Sequence, residues 1–201
     1  QPDFPGNFLS IGLFIITASA ILFQPDIGMT TVVSVIWAAQ LVLSGIPLFW
    51  IIILGILAII GGIIGYFTFP HFQIRILQFL ASGDDTPYQI KRANQAFESS
   101  NFFGRGPGEG IARSLIPDAH TDFIYAVIGE EHGFIGCVLV ICLFWTILQR
   151  GFLIATKCQD MYGKLLALGL TFSICFQGFL NMWVASSFVP ATGVPMPFIS
   201  Y

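Results

Sequence analysis

Long apolar runs dominate the sequence, and polar residues gather between these runs rather than alternating with them. Five runs reach or approach the roughly 20 residues that a helix needs to cross a bilayer. They cover residues 8–23, 27–46, 48–69, 123–148 and 165–189. The pattern predicts three transmembrane helices within residues 1–69, a long loop over residues 70–122, and two helices followed by an irregular segment within residues 123–201. The predicted fold class is an all-α integral membrane protein with about five spans.

The composition excludes most soluble classes of protein. Hydrophobic residues make up 55% of the 201 residues and charged residues 9%, whereas soluble domains have about 45–50% and about 25%. With eight basic residues against eleven acidic ones, we expect no basic face for nucleic acid. The chain begins at Gln1, and no basic residue precedes the first apolar run. We therefore expect a piece of a longer protein, with no signal peptide at its start.

The distribution of basic residues orients the predicted helices. The short segment of residues 150–164 holds three basic residues and one acidic residue, and the positive-inside rule places such a segment in the cytoplasm. Counting helices from there brings residues 24–26, 70–122 and 190–201 to the outer face. We therefore expect three segments that are distant in sequence to meet at the outer membrane surface, where they can assemble a site.

Residues 104–110 have the sequence Gly-Arg-Gly-Pro-Gly-Glu-Gly. Glycine allows the backbone to approach a ligand closely, and successive N–H groups can form an anion-binding nest. Arg105 and the nearby Arg113 are candidates for charge-assisted hydrogen bonds to phosphate. The alternative is a flexible crossing segment without a ligand.

Asp122 stands directly before the fourth apolar run, and Asp118 and His120 precede it closely. One interpretation is that its carboxylate caps the first free N–H groups of a helix that begins at Phe123. The other is a general base or electrostatic centre at the membrane boundary. The residues alone leave both interpretations open.

Two adjacent glutamates, Glu130 and Glu131, lie inside the fourth apolar run, which contains no Lys or Arg to neutralise them. A carboxylate inside a membrane indicates a functional site that faces a cavity or a partner. At about 100° per residue, Glu130 is offset by about 80° from Asp122 and Glu131 by about 180°. Glu130 is thus the better candidate to share a face with Asp122. The alternative is a structural carboxyl that is protonated or hydrogen-bonded.

Residues 189–200 contain three prolines in apolar surroundings and cannot form a regular helix. Irregular backbone at membrane depth is found only where it is buried in protein or lines a water-filled cavity, although a surface turn is the simpler alternative. Near the other end of the chain, Asp26 is expected to cap the helix that follows it.

Three stretches of the sequence are similar to the SEDS family of shape, elongation, division and sporulation proteins. They are residues 24–28 (QPDIG), 117–131 (PDAHTDFIYAVIGEE) and 190–201 (PATGVPMPFISY). Their order and spacing agree over essentially the whole chain, and the glycine-rich stretch is most similar to division-type members. The family has a fold of ten transmembrane helices, so the resemblance implies that this chain is a later portion that lacks several early helices and the last one.

The resemblance implies polymerisation of peptidoglycan strands from lipid II, a disaccharide peptide linked to undecaprenyl pyrophosphate. Asp122 matches the essential aspartate of the family, which implies that it deprotonates or orients the 4-hydroxyl of the acceptor sugar. That oxygen then attacks the anomeric carbon of the donor with inversion. Together with the residues above, the resemblance makes these candidates for substrate binding: Asp26, Arg105, Arg113, His120, Glu130 and Thr192.

The resemblance also implies partners and a location. The expected partners are a class B penicillin-binding transpeptidase and other divisome proteins, in the bacterial inner membrane at the division site. The expected cofactors are none or a divalent cation at the pyrophosphate, with no metal ligands assigned. Two other functions stay open. One is a lipid II flippase that uses the proline-broken segment and the intramembrane glutamates, and the other is a non-catalytic divisome scaffold.

Overall fold

The computed structural model describes residues 6–24, 26–45, 47–68, 70–80, 88–111, 119 and 121–200. Their helices are α1 (Gly6–Phe23), α2 (Ile27–Leu43), α3 (Leu48–Thr68), α4 (Pro70–Leu80), α5 (Tyr88–Ser99), α6 (Ile124–Lys157) and α7 (Met161–Ala185). All regular structure within these ranges is helical, which confirms the predicted all-α fold class.

Each of the five predicted apolar runs forms a helix, namely α1, α2, α3, α6 and α7. Among the described residues, α6 with 34 residues and α7 with 25 are long and apolar enough to cross a membrane. Many large apolar side chains are exposed, among them Ile16 at 67%, Phe49 at 67% and Ile59 at 66%. Soluble monomers rarely expose so much contiguous apolar surface. These features are consistent with a membrane protein.

The connection between α6 and α7 is shorter than the sequence predicts. Instead of a loop over residues 150–164, α6 continues to Lys157 and α7 begins at Met161. Lys157 lies in the last turn of α6, where a cation interacts favourably with the helix dipole. Asp160 caps α7, because its carboxylate accepts a hydrogen bond of 2.6 Å from the N–H of Gly163. The polar residues of this stretch therefore extend and cap helices.

The segment 70–122, which the sequence predicts as a loop, contains the helices α4 and α5. Helix α5 buries one face, formed by Ile90, Ala93 and Ala96, and packs mainly against α6. Residues spaced by three lie on one face of an amphipathic helix, whose period is about 3.6 residues. The segment is too polar overall to resemble a transmembrane helix. A prediction based on apolar runs therefore does not find the amphipathic period within it.

Helices α6 and α7 pack against each other as a hairpin and form the centre of the fold. Small residues allow a close approach, since Gly151 contacts Thr171 and Gly178 contacts the ring of Phe144. Helix α2 packs on α7, and α1 packs on α2. The hairpin brings the start of α6 and the end of α7 to the same end of the molecule, and the candidate site lies there.

Candidate functional site

Asp122 is half-buried immediately before α6. The N-cap position of α6 is Phe123, whose side chain makes no capping hydrogen bond, so the capping position predicted for Asp122 belongs to its neighbour. Phe123 is 1% exposed and anchors this turn in the core. A methyl group added at Gly193 would lie 3.8 Å from Oδ2 of Asp122. The carboxylate therefore lies beside the proline-containing segment, residues 189–200.

Two side chains tie the backbone around Asp122 to this proline-containing segment. Asn181, on α7, points its Nδ2 at the carbonyls of Val194 at 2.9 Å, Asp122 at 3.1 Å and Thr121 at 3.3 Å. Ser200 donates its hydroxyl to the Thr121 carbonyl at 2.8 Å and accepts from the N–H of Met196 at 2.9 Å. We call Asn181 and Ser200, with the three carbonyls that they bind, the carbonyl clamp.

The sequence does not predict either side chain of the carbonyl clamp. A signal for Asn181 was present, because a carboxamide inside an apolar helix must find partners within the protein. Ser200 gave no such signal, since a serine at a chain turn is ordinary. The bonds to Thr121 and Asp122 do not follow from sequence spacing, because they join residues that are 59 to 79 positions apart along the chain.

The start of α2 meets the same proline-containing segment. Gly28 packs against the carbonyl of Thr192 and the side chain of Val194, and a Cβ at position 28 would collide with that carbonyl. Asp26 accepts a hydrogen bond of 2.9 Å from the N–H of Met29 and is the N-cap of α2, as the sequence predicts. Thr192 Oγ1 is buried and has no hydrogen-bond partner. The proline-containing segment thus bridges the start of α2 and Asp122.

The glycine-rich segment, residues 104–110, packs against a break in α6. The break is at Gly133, with φ 66° and ψ −158°, a conformation that is essentially restricted to glycine. The N–H of Arg105 donates to the Glu130 carbonyl at 2.9 Å, and the N–H of Gly106 donates to the Glu131 carbonyl at 3.0 Å. The segment therefore caps the carbonyls that the break leaves without helical partners.

The anion-binding nest predicted for the glycine-rich segment is wrong at its first three residues. Besides Arg105 and Gly106, Gly104 donates its N–H to the Asn101 carbonyl at 3.1 Å. These N–H groups already have backbone acceptors, so they do not point at a ligand. Gly104 instead serves close backbone packing, because a Cβ at this position would collide with the Glu131 carbonyl.

Glu130 is 2% exposed, and its carboxylate forms an ion pair of 3.4 Å with Arg105. A cavity of about 150 Å³ beside this pair is lined by Arg92, Gln95, Ala96, Ser99, Arg105, Ile111 and Glu130. Asp122 is not among the residues that line this cavity. An ion pair between distant segments, unlike a pair one helical turn apart, leaves no pattern in the sequence.

The part of α6 after Gly133 runs for about 36 Å at 1.5 Å per residue. This length alone exceeds the roughly 30 Å of bilayer hydrocarbon. Residues 134–157 can therefore cross a membrane on their own. Glu130 and Glu131 precede the break, so the length of this helix does not require them to lie inside the membrane, where the sequence predicts them.

A family model described as "Cell cycle protein", FtsW/RodA/SpoVE, matches residues 3–201. The chain belongs to the FtsW/RodA/SpoVE family. This confirms the resemblance to the SEDS family that residues 24–28, 117–131 and 190–201 carry. The match runs through α1 to α7 and through the proline-containing segment.

Curated relatives of this FtsW/RodA/SpoVE chain carry the name "Probable peptidoglycan glycosyltransferase FtsW". The relative from Caulobacter vibrioides is 37% identical over 98% of this chain and 50% of its own length. Those from Bacillus subtilis and Aliivibrio salmonicida are 36% and 35% identical, over 93% and 100% of this chain and 50% and 52% of their own lengths. The chain spans about half the length of the curated relatives that it matches.

A solved structure is also similar to this chain. It is described as "Structural coordination of polymerization and crosslinking by a peptidoglycan synthase complex", with a TM-score of 0.75 and 26% identity. The match covers 96% of this chain and 55% of the solved one. The similarity in fold thus agrees with the sequence comparisons of this FtsW/RodA/SpoVE chain.

Two of the predicted substrate-binding residues of this FtsW/RodA/SpoVE chain, Arg113 and His120, lie outside the described residues, as does Asp118. The described candidates form two groups. Thr192 lies beside Gly193, which neighbours Asp122, and Asp26 lies at the start of α2 against the same segment. Arg105 and Glu130 pair with each other at the helix break.

Proposed function

We propose that the full-length protein, of which this chain represents about half, is a peptidoglycan glycosyltransferase that polymerises lipid II into glycan strands during cell division. Membership of the FtsW/RodA/SpoVE family and the names of the curated relatives support this proposal. The observation that carries it is the position of the half-buried Asp122, whose carboxylate lies beside the proline-containing segment and whose backbone is bound by the carbonyl clamp.

Asp122 acts on the acceptor sugar in the proposed mechanism. Its carboxylate accepts the proton of the acceptor 4-hydroxyl while that oxygen forms a bond to the anomeric carbon of the donor. The bond from this carbon to the pyrophosphate oxygen breaks, and its electron pair leaves with undecaprenyl pyrophosphate. Attack from the face opposite the leaving group inverts the anomeric carbon. Placing both oxygens in line across this carbon supplies much of the rate enhancement in such reactions.

A lipid-linked sugar explains why the site lies where apolar helices end. The polyprenyl tail stays among the apolar helices, whereas the sugars and the pyrophosphate need a polar surface. We place Asp122 and the proline-containing segment on the outer side of the inner membrane at the division site. In the complete protein, five more helices bring the bundle to ten. A class B penicillin-binding transpeptidase is the proposed partner. In support, the solved structure of similar fold is described as that of a peptidoglycan synthase complex.

A divalent cation at the pyrophosphate is not built into this mechanism. Among the described residues, no group of three or more His, Cys, Asp or Glu side chains is arranged to hold a metal ion. No step of the mechanism is therefore assigned to a cation.

The test is an assay of the full-length protein with its transpeptidase partner in liposomes that contain fluorescent lipid II. We expect glycan polymer that lysozyme digests, and no transbilayer movement of lipid II in the absence of polymer. Movement of lipid II without polymer would establish the flippase instead. Neither polymer nor movement, with the partner still recruited, would establish the scaffold and contradict the proposal.

A further inference from the structure

We propose that Asn181 is a positioning residue, which together with Ser200 sets the placement of the Asp122 carboxylate against the proline-containing segment. This inference rests on the proposed function, in which Asp122 acts on the acceptor hydroxyl. Asn181 lies on α7 and contacts the backbone carbonyl of Asp122. The proposal therefore assigns it a role that acts through Asp122.

The geometry of Asn181 is unlike that of a side chain that only fills space. It is 1% exposed, and its Nδ2 faces three carbonyls that belong to two separate segments. An amide nitrogen has two hydrogens, so the three carbonyls share them, and the contact with Val194 at 2.9 Å is the shortest. The carbonyls of Thr121 and Asp122 lie in the turn before α6, and the Val194 carbonyl lies in the proline-containing segment. Asn181 thus joins the turn before α6 to this segment.

The other end of the same amide supports this assignment. Asn181 Oδ1 is buried without a hydrogen-bond partner, which makes a carboxamide costly at this position. Leucine has a similar size and would pack in an apolar helix without that cost. The benefit that offsets the cost is the set of carbonyl contacts made by Nδ2.

Ser200 binds the same turn from the opposite segment. Its hydroxyl donates to the Thr121 carbonyl and accepts from the N–H of Met196. The peptide that precedes Asp122 is therefore held from α7 by Asn181 and from the proline-containing segment by Ser200. Two independent bonds to one carbonyl restrict the rotation of this peptide, and this rotation would move the Asp122 side chain.

Helix α7 provides a matched control in Gln177, one turn before Asn181. Gln177 is also a carboxamide, half-buried rather than fully buried, and its Nε2 donates to Ser173 Oγ at 3.3 Å within α7 itself. Gln177→Leu removes a carboxamide of the same helix and leaves the carbonyl clamp intact. It controls for the general effect of making α7 more apolar.

The experiment compares Asn181→Leu, Ser200→Ala and Gln177→Leu in the full-length protein with its partner. We expect Asn181→Leu to lower kcat for lipid II polymerisation about 10- to 100-fold, because a misplacement of about 1 Å at a reacting group costs this much. KM should change little, since substrate contacts are retained. Ser200→Ala should act in the same direction with a smaller effect, and Gln177→Leu should stay near wild type. Ser200→Ala keeps the proposal testable if Asn181→Leu does not fold.

A second readout does not depend on activity. In full-length protein with all native cysteines replaced, Asp122→Cys is labelled by a membrane-impermeant maleimide. Adding Asn181→Leu should raise the labelling rate, because the turn before α6 is released, whereas adding Gln177→Leu should leave the rate unchanged. Wild-type kcat in Asn181→Leu, or equal labelling rates in the two backgrounds, would overturn the inference. Normal polymerisation by Asp122→Asn would refute the proposed mechanism instead, and the labelling rates would still report on Asn181.

Discussion

Replacing Asp122 by Asn is expected to lower the rate of lipid II polymerisation by the full-length protein about 100- to 10,000-fold, the usual contribution of a general base. Asn keeps the size and hydrogen-bonding shape of the side chain but cannot accept the proton of the acceptor hydroxyl. The loss should therefore fall on kcat rather than on binding of lipid II. The measurement is the initial rate of polymer formation with the transpeptidase partner present.

Asp160→Asn is the matched control for this substitution. Asp160 is an exposed carboxylate at the opposite end of α7, where it caps the helix, and Asn caps as well as Asp does. Asp160→Asn should polymerise at the wild-type rate. A rate for Asp122→Asn that matches the Asp160→Asn rate would exclude Asp122 as the base.

Replacing Gly104 by Ala is expected to destabilise the protein by about 3 kcal/mol or more, within the range of severe single substitutions. Gly104 has φ 78°, and a Cβ there would collide with the backbone of Glu131 and Gly133. Both collisions involve backbone atoms at the break in α6, which cannot rotate away. The measurement is the thermal unfolding midpoint of the full-length protein in detergent.

Gly108→Ala separates the collision from the strain of the backbone. Gly108 has a similar φ of 82°, but nothing lies within 4 Å of an added Cβ. Both substitutions carry the cost of a left-handed residue, about 1–2 kcal/mol, and only Gly104→Ala adds the collision. Equal unfolding midpoints for the two variants would contradict the packing of the glycine-rich segment against α6.

The helices were largely predictable from the sequence because their signal is local. Runs of apolar residues determine α1, α2, α3, α6 and α7, and the capping role of Asp26 follows from its place before an apolar run. The errors arose where polar residues continue a helix. Residues 149–157 extend α6 despite their charges, because helix formation tolerates charged residues once the helix has begun.

The candidate site was only partly predictable because its contacts join distant segments. The position of Asp122 at a helix start and the irregular proline-containing segment could be read from the sequence. The carbonyl clamp could not, since the partners of Asn181 lie 13, 59 and 60 residues away along the chain. The break at Gly133 was missed as well, because a glycine inside a helical pattern does not by itself indicate a break.

The central claim is that Asp122 and the proline-containing segment form one site, and disulfide crosslinking tests it most directly. In full-length protein with all native cysteines replaced, the pair Asp122→Cys and Gly193→Cys is oxidised in the membrane and compared with Asp122→Cys and Gly163→Cys. Position 163 lies at the start of α7, at the opposite end of the hairpin. The cost of a side chain at the φ of 74° of Gly193 is about 1–2 kcal/mol, which a folded protein tolerates. The account predicts a rapid disulfide between positions 122 and 193 and none between positions 122 and 163, and the absence of the first disulfide would contradict it.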